Sequence, residues 1–164
     1  MMLTSELLFE KLKCFEGLRL EAYEDEGGKP TIGYGHTYNV KMGDKISEMT
    51  AEELLKKDIE IAERNVLEMG ICKYQGQLDA LVSFVFNLGI GNLKRSTLLK
   101  AILAGFGREV IGKEFRRWAY CNGKRMGGLV SRRRWEVERY FENTDSLDEV
   151  KQKMILEEGK FHDD

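Results

Sequence analysis

Two carboxylates and a hydroxyl sit close together in residues 15–37, FEGLRLEAYEDEGGKPTIGYGHT: Glu16, Asp25 and Thr31. Glu16 directly follows a helical pattern and precedes Gly17, which reads as a helix stop. A helix C-terminus carries partial negative charge, so an ionised carboxylate there is disfavoured. Apolar neighbours Phe15, Leu18 and Leu20 add desolvation. Surroundings of this kind favour the protonated form that a general acid needs near neutral pH. Asp25 falls in an acidic, glycine-rich turn, where water and free backbone N–H groups keep a carboxylate ionised. Thr31 opens a second extended run just after the only proline. Carboxylates held in such different surroundings suggest an acid and a base. On these features alone the plainer reading, a surface Glu and a turn-forming Asp, is favoured.

The elements that would position these residues follow from apolar spacing. Leu8, Leu12 and Phe15 recur at helical spacing, with Thr4 or Ser5 as N-cap, so a first helix ends at Glu16. Leu18, Leu20 and Ala22 alternate with Arg19, Glu21 and Tyr23, which predicts a strand broken at residues 24–28 and resumed over residues 31–34. Gly33 and Gly35 leave the backbone bare, suiting either hairpin twist or close approach by a ligand or another chain. Thr50-Ala51-Glu52-Glu53 has the form of a capping box. The helix after it carries Leu55, Ile59, Ala62 and Val66 on one face, runs to Met69 and stops at Gly70.

Residues 78–88 are apolar around most of a helical circumference, which predicts an element buried on nearly all sides. The Gly89-Ile90-Gly91 that follows lacks a preceding strand, so it does not read as a phosphate loop. Further helices are expected over residues 96–104 and 109–119. A break is expected at Gly127-Gly128, and then a helix that Ser131 caps or begins. Trp118 and Tyr120 read as core before substrate platform. Ser146-Leu147-Asp148-Glu149 is a second capping box, opening an acidic tail that either packs as an extra helix or frays.

Three blocks of this sequence resemble the phage-type lysozymes, the endolysins that cut bacterial peptidoglycan. The first is Glu16-Gly17, Asp25, Gly27-Gly28 and Thr31-Ile32-Gly33-Tyr34-Gly35-His36. The second is FVFNLGIGNLKRSTLL over residues 84–99. The third is Gly128-Leu129, then Arg132-Arg133 and Glu136. The resemblance covers residues 5 to about 142 without a large insertion. It implies an α+β, mainly α fold: a small N-terminal lobe with a β-hairpin sheet (about 15–60), a long joining helix, and a helical C-terminal lobe (about 70–145). Residues 146–164 lie beyond it, and the whole of 1–164 is expected to be one domain.

It also implies hydrolysis of the β-1,4 bond between N-acetylmuramic acid and N-acetylglucosamine, with inversion at the anomeric centre. Glu16 would be the acid, Asp25 the water-activating and charge-stabilising carboxylate, and Thr31 the residue holding the water. Tyr34, His36, Thr37 and Arg132 are expected to support the site or bind substrate. Arg132 is the first expected partner of Glu16 and Arg133 the second. Such a pairing would oppose the helix-end effect on Glu16.

Composition is consistent with a soluble globular protein: 42% hydrophobic, 33% charged and net −2 over 164 residues. No run is long and apolar enough to span a bilayer, and the first residues lack the apolar core of a signal peptide. Cytoplasmic folding is expected, and the wall would be reached after a membrane lesion made by a separate holin. Cys14, Cys72 and Cys121 are scattered and read as half-buried free thiols, and a catalytic cysteine is a poor fit with only His36 and His162 as partners. Neither a zinc site nor any other cofactor is expected. A monomer is expected.

Charge is asymmetric. Residues 94–134 hold twelve Lys and Arg against Glu109 and Glu114, a net of +10. This segment reads as a solvated helix surface or a contact for an anionic polymer. Rival functions are a chitinase-like glycosidase, a silent glycan-binding module and a nucleic-acid binder using the basic segment. No recognition-helix signal supports the last.

Overall fold

Ser5 starts the first element. In the computed structural model, which describes residues 2–161, its hydroxyl accepts from the Leu8 backbone N–H at 3.2 Å. Helix α1 (Glu6–Glu16) buries Leu8, Phe9 and Leu12 and ends against Gly17 at φ 69°, a conformation that glycine adopts without strain. Buried charge fixes α1 at its start. The Asp79 carboxylate accepts from the Ser5 backbone at 2.9 Å and from Arg139 Nε at 2.9 Å. Burial raises the pKa of Asp79 despite these bonds. Glu63 takes the backbone N–H groups of Leu3 and Thr4 at 2.7 and 2.6 Å.

Strand β1 (Arg19–Glu24) pairs antiparallel with β2 (Pro30–Gly33), with Tyr23 opposite Thr31 and Arg19 opposite Gly33. The register shifts between those pairs. The expected alternation is therefore only partly realised. Ala22 is buried, but Leu20 is 45% exposed, because a bulge rotates side chains out of strict alternation. Residues 44–46 add an edge to this sheet through the bonds of Ala22 N to Asp44 O and Ile46 N to Leu20 O, each 2.9 Å.

Helix α2 (Glu48–Leu67) begins before the expected box. Its cap is Ser47, whose hydroxyl accepts from the Thr50 N–H at 3.1 Å. Thr50 supplies that bond from inside the first turn. The face of Ala51, Leu55, Ile59, Ala62 and Val66 is buried as expected. Its twenty residues span about 30 Å, enough to join two lobes.

Helix α3 (Gln75–Leu88) is buried along most of its length and packs against α2 and against α7 (Gly127–Phe141). Between them run α4 (Ile90–Arg95), α5 (Thr97–Leu103) and α6 (Arg108–Arg116). The short α4 is not among the expected helices. Phe84 of α3 meets Phe115 and Trp118 edge to face, at 5.9 and 5.5 Å between ring centres, so Trp118 packs against the core.

The break expected at Gly127-Gly128 occurs earlier. A small hairpin, β3 (Tyr120–Cys121) and β4 (Lys124–Arg125), turns through Asn122 and Gly123 at φ 51° and 80°. That Asn-Gly pair is a two-residue hairpin signal. The chain has already turned when it reaches Gly127, so both glycines fit in the first turn of α7 and Ser131 lies inside the helix.

Helix α8 (Leu147–Phe161) carries the acidic tail. Ser146 and Glu149 exchange the bonds of a capping box, at 3.2 and 3.3 Å, and Leu147 and Val150 are buried. His162, Asp163 and Asp164 lie outside the described residues. A single core runs from Tyr34 and Ala51 through α3 to Val150. The fold is α+β and mainly α. No described helix is long and apolar enough to cross a membrane.

Candidate active site

Glu16 is the last residue of α1, where the chain leaves the helix for the sheet. Its Oε1 accepts from Arg132 Nη1 at 2.7 Å. Arg132 is itself held in place. Nη2 donates to the Ser83 carbonyl at 3.1 Å, and the guanidinium lies 5.1 Å from the Phe15 ring centre and 5.9 Å from that of Phe86. Oε2 of Glu16 faces Gly35. A Cβ placed on Gly35 would stand 2.6 Å from that oxygen, and the backbone there has φ 75°. The close approach for which the bare glycines are suited is therefore made by the Glu16 carboxylate at Gly35.

Glu16 and Arg132 line a cavity of about 330 Å³ with Phe15, Glu26, Asn87 and Leu129. Its walls come from α1, the turn after β1, α3 and α7. Asn87 was not singled out from the sequence, and its one signal is an amide ending an apolar helix. Its Oδ1 accepts from Arg133 Nη2. A guanidinium only donates, so this bond fixes which way the amide points and frees Nδ2 to donate elsewhere.

Asp25 is exposed and organises its turn. Its Oδ1 accepts from the Gly27 and Lys29 backbone N–H groups at 2.9 and 2.8 Å, and these two bonds leave Oδ2 uncommitted. The cavity around Glu16 is lined by the neighbouring Glu26 rather than by Asp25. Thr31 is 4% exposed, and its hydroxyl donates to the Lys29 carbonyl at 2.9 Å. Asp25 and Thr31 are thus both tied to the backbone of one residue, Lys29.

The other expected residues fall elsewhere. Tyr34 is buried in the core, where burial raises the pKa of its phenol. His36 fastens the loop after β2 to α2, with Nδ1 2.7 Å from Asp58 and Nε2 2.9 Å from the Tyr38 carbonyl. Thr37 lines a second depression of about 380 Å³ with Gly35, Tyr38, Asp58 and Asn65. Gly35 lies between this depression and Glu16. Arg133, the second expected partner of Glu16, turns inward to Glu136 at 3.1 Å.

All three cysteines are free. Cys14 is exposed rather than half-buried, and Cys121 donates to Glu26 at 3.7 Å across the mouth of the cavity. Burial pushes the Cys72 thiol up to about 12, so roughly one in 10⁴ of these thiols is ionised at pH 8. Iodoacetamide at that pH should label Cys14 quickly and Cys72 only after denaturation. Peptide mass spectrometry over time checks this, and equal labelling rates would contradict the burial of Cys72.

A sequence model of the phage lysozyme family matches residues 13–136. The endolysin of Acyrthosiphon pisum secondary endosymbiont phage 1 is 40% identical over 130 residues, covering 76% of this chain and 88% of its own. Among solved structures, the endolysin from Escherichia coli O157:H7 phage FAHEc1 is 37% identical with a TM-score of 0.74, covering 88% of this chain and 96% of that one. The muramidase domain of SpmX from Asticaccaulis excentricus is 30% identical with a TM-score of 0.74, covering 84% and 97%.

Proposed function

The chain belongs to the phage lysozyme family, and from that premise we propose that it is an endolysin cutting the β-1,4 bond between N-acetylmuramic acid and N-acetylglucosamine in peptidoglycan, with Glu16 as the general acid. As a family member it is a lysozyme-type glycoside hydrolase. The observation that carries the assignment of the acid is the asymmetric setting of the Glu16 carboxylate. Arg132 donates to Oε1 and has no lone pair to accept a proton. The transferable proton of Glu16 therefore sits on Oε2, the oxygen facing Gly35. The missing side chain leaves room there for a glycosidic oxygen.

Water is handled by the turn after β1. The Thr31 hydroxyl spends its proton on the Lys29 carbonyl, so toward water it can only accept. A water donating one proton to Thr31 and the other to the free Oδ2 of Asp25 keeps a lone pair for the anomeric carbon. Asp25 also stabilises the positive charge that develops on the sugar, and the Asn87 amide supplies a donor to a sugar oxygen or acetamido carbonyl. Attack by this water opposite the departing oxygen inverts the anomeric centre. Such enzymes hold their carboxyls roughly 6.5–9.5 Å apart, against about 5–5.5 Å in retaining ones. Host lysis follows once the protein passes from the cytoplasm to the wall through a lesion made by a separate holin.

Gly35→Ala should disable the site without unfolding the protein. The added methyl displaces Glu16 Oε2, and the positive φ adds about 1–3 kcal/mol of strain. Activity on purified peptidoglycan should fall by about tenfold or more, since small displacements of catalytic groups are costly. Thermal unfolding and reducing-sugar release together check this, and full activity would remove the Gly35 contact from the mechanism. Proton NMR of the first product formed tests the water step. An α-anomer at the new reducing end is expected, and a β-anomer would overturn the roles given to Asp25 and Thr31.

A further inference from the structure

A second concavity, of about 650 Å³, lies between α6 and α7. Its cations are all arginines: Arg108 and Arg116 from α6, Arg125 from β4 and Arg134 from α7. Glu109 and Glu138 also face it. Glu138 is taken by Arg108, whose guanidinium lies 5.8 Å from the Phe141 ring centre. Among the described residues, Arg116, Arg125 and Arg134 have no carboxylate within ion-pairing distance, so the groove holds uncompensated positive charge. Gly112 lets this happen, because Arg116 Nη1 lies 3.1 Å from where a Cβ would stand. The arginine thus folds back along its own helix. Val137 approaches the same point at 3.3 Å and, with Val130, gives the groove an apolar floor.

The groove and the cavity around Glu16 draw on the same two elements and lie on opposite faces of α7. Along α7, Leu129 and Arg132 line the cavity, while Val130 and Arg134 line the groove. In the β3–β4 hairpin, Cys121 lines the first and Arg125 the second.

We propose that this arginine groove is a second binding site, which takes the phosphodiester groups of an anionic polymer linked to the cell wall. The proposal rests on the reading that the protein works at the wall. Guanidinium forks match pairs of phosphate oxygens, and a phosphodiester keeps its charge at any pH the wall meets. An all-arginine set suits that geometry better than lysine point charges would. The concave, short groove fits a few phosphates of one flexible chain rather than the broad backbone of a duplex. Held there, the enzyme is retained beside its substrate, and retention weakens as salt rises.

The test compares wild type with the triple variant Arg116→Gln, Arg125→Gln, Arg134→Gln. All three side chains are exposed and none touches Glu16, Asp25 or Thr31. Co-sedimentation is measured with walls that retain their phosphodiester polymers and with the same walls stripped by acid. Binding of short poly(glycerol phosphate) is measured in parallel. We expect the triple variant to bind intact walls and the free polymer at least tenfold more weakly, to match wild type on stripped walls, and to release reducing sugar from stripped walls at the wild-type rate. Equal binding of both proteins to intact walls would overturn the site, as would an equal loss on stripped walls. Stronger wild-type binding to DNA or to phosphatidylglycerol vesicles than to intact walls would overturn the wall polymer as the source. If neither protein cuts stripped walls while the binding difference persists, the glycosidase reading fails and the groove stands.

Discussion

Glu16→Gln should reduce hydrolysis of purified peptidoglycan by about 10²–10⁴-fold, the range that a positioned general acid contributes. The amide keeps the size of the side chain and can still accept from Arg132 through its oxygen. What it lacks is a proton that can be transferred from the atom facing Gly35. Because the bond to the buried Arg132 is kept, the variant should still fold. Reducing-sugar release beside thermal unfolding checks both halves. A folded variant with wild-type activity would exclude Glu16 as the acid. Slow hydrolysis with unchanged glycan binding would place the loss in the chemical step.

Glu136→Ala should have the largest effect on stability. Glu136 is fully buried. Its carboxylate lies 3.1 Å from Arg133 Nε, 3.8 Å from Arg132 Nε, and accepts from the Ser83 hydroxyl at 2.7 Å. Desolvation raises the pKa of Glu136 and lowers that of Arg133 to about 10, so burial already works against both charges. Removing the acid leaves Arg133 buried without a counter-charge and Arg132 with Glu16 alone, and breaking a buried pair in this way typically costs about 3–5 kcal/mol. Urea unfolding should report a loss in that range. The double change Arg133→Met, Glu136→Leu should be far less harmful, because it removes both charges at once. A single Glu136→Ala variant as stable as wild type would mean that the ion pair contributes nothing. Activity should fall as well, since Arg132 holds Glu16 from the same helix.

Much of this was legible in the sequence because local signals and tertiary packing agreed. Ser5 and Gly17 bound α1, and the residue before a helix stop is its last, so the place of Glu16 follows from the sequence. The apolar face of α2 and the buried α3 were equally plain, as both follow from periodicity alone. Expectation and structure differ where two local signals compete. Thr50 and Glu53 form a plausible capping box, but Ser47 lies three residues earlier and captures the Thr50 N–H first. Gly127-Gly128 looked like a break, yet Asn122-Gly123 turns the chain sooner and more sharply. Leu20 looked buried, but a bulge depends on both strands and cannot be read from one.

The site divides the same way. Arg132 was read as the partner of Glu16, and it is the arginine bonded to it. The contact between Gly35 and the Glu16 carboxylate was legible only as a bare backbone suited to close approach. The Asn87 orientation depends on Arg133, far away in the sequence, and no spacing encodes it. The three unpaired arginines of the α6–α7 groove appeared only as part of a basic stretch, because pairing partners are a property of the folded surface.

The protein is proposed to cleave the bond that frees the reducing end of N-acetylmuramic acid. Purified peptidoglycan digested with the protein, reduced with borohydride and hydrolysed to its sugars tests it most directly. Muramitol, absent when Glu16→Gln replaces the wild type, is the predicted product. Glucosaminitol in its place, or no reduced sugar at all, would contradict the account.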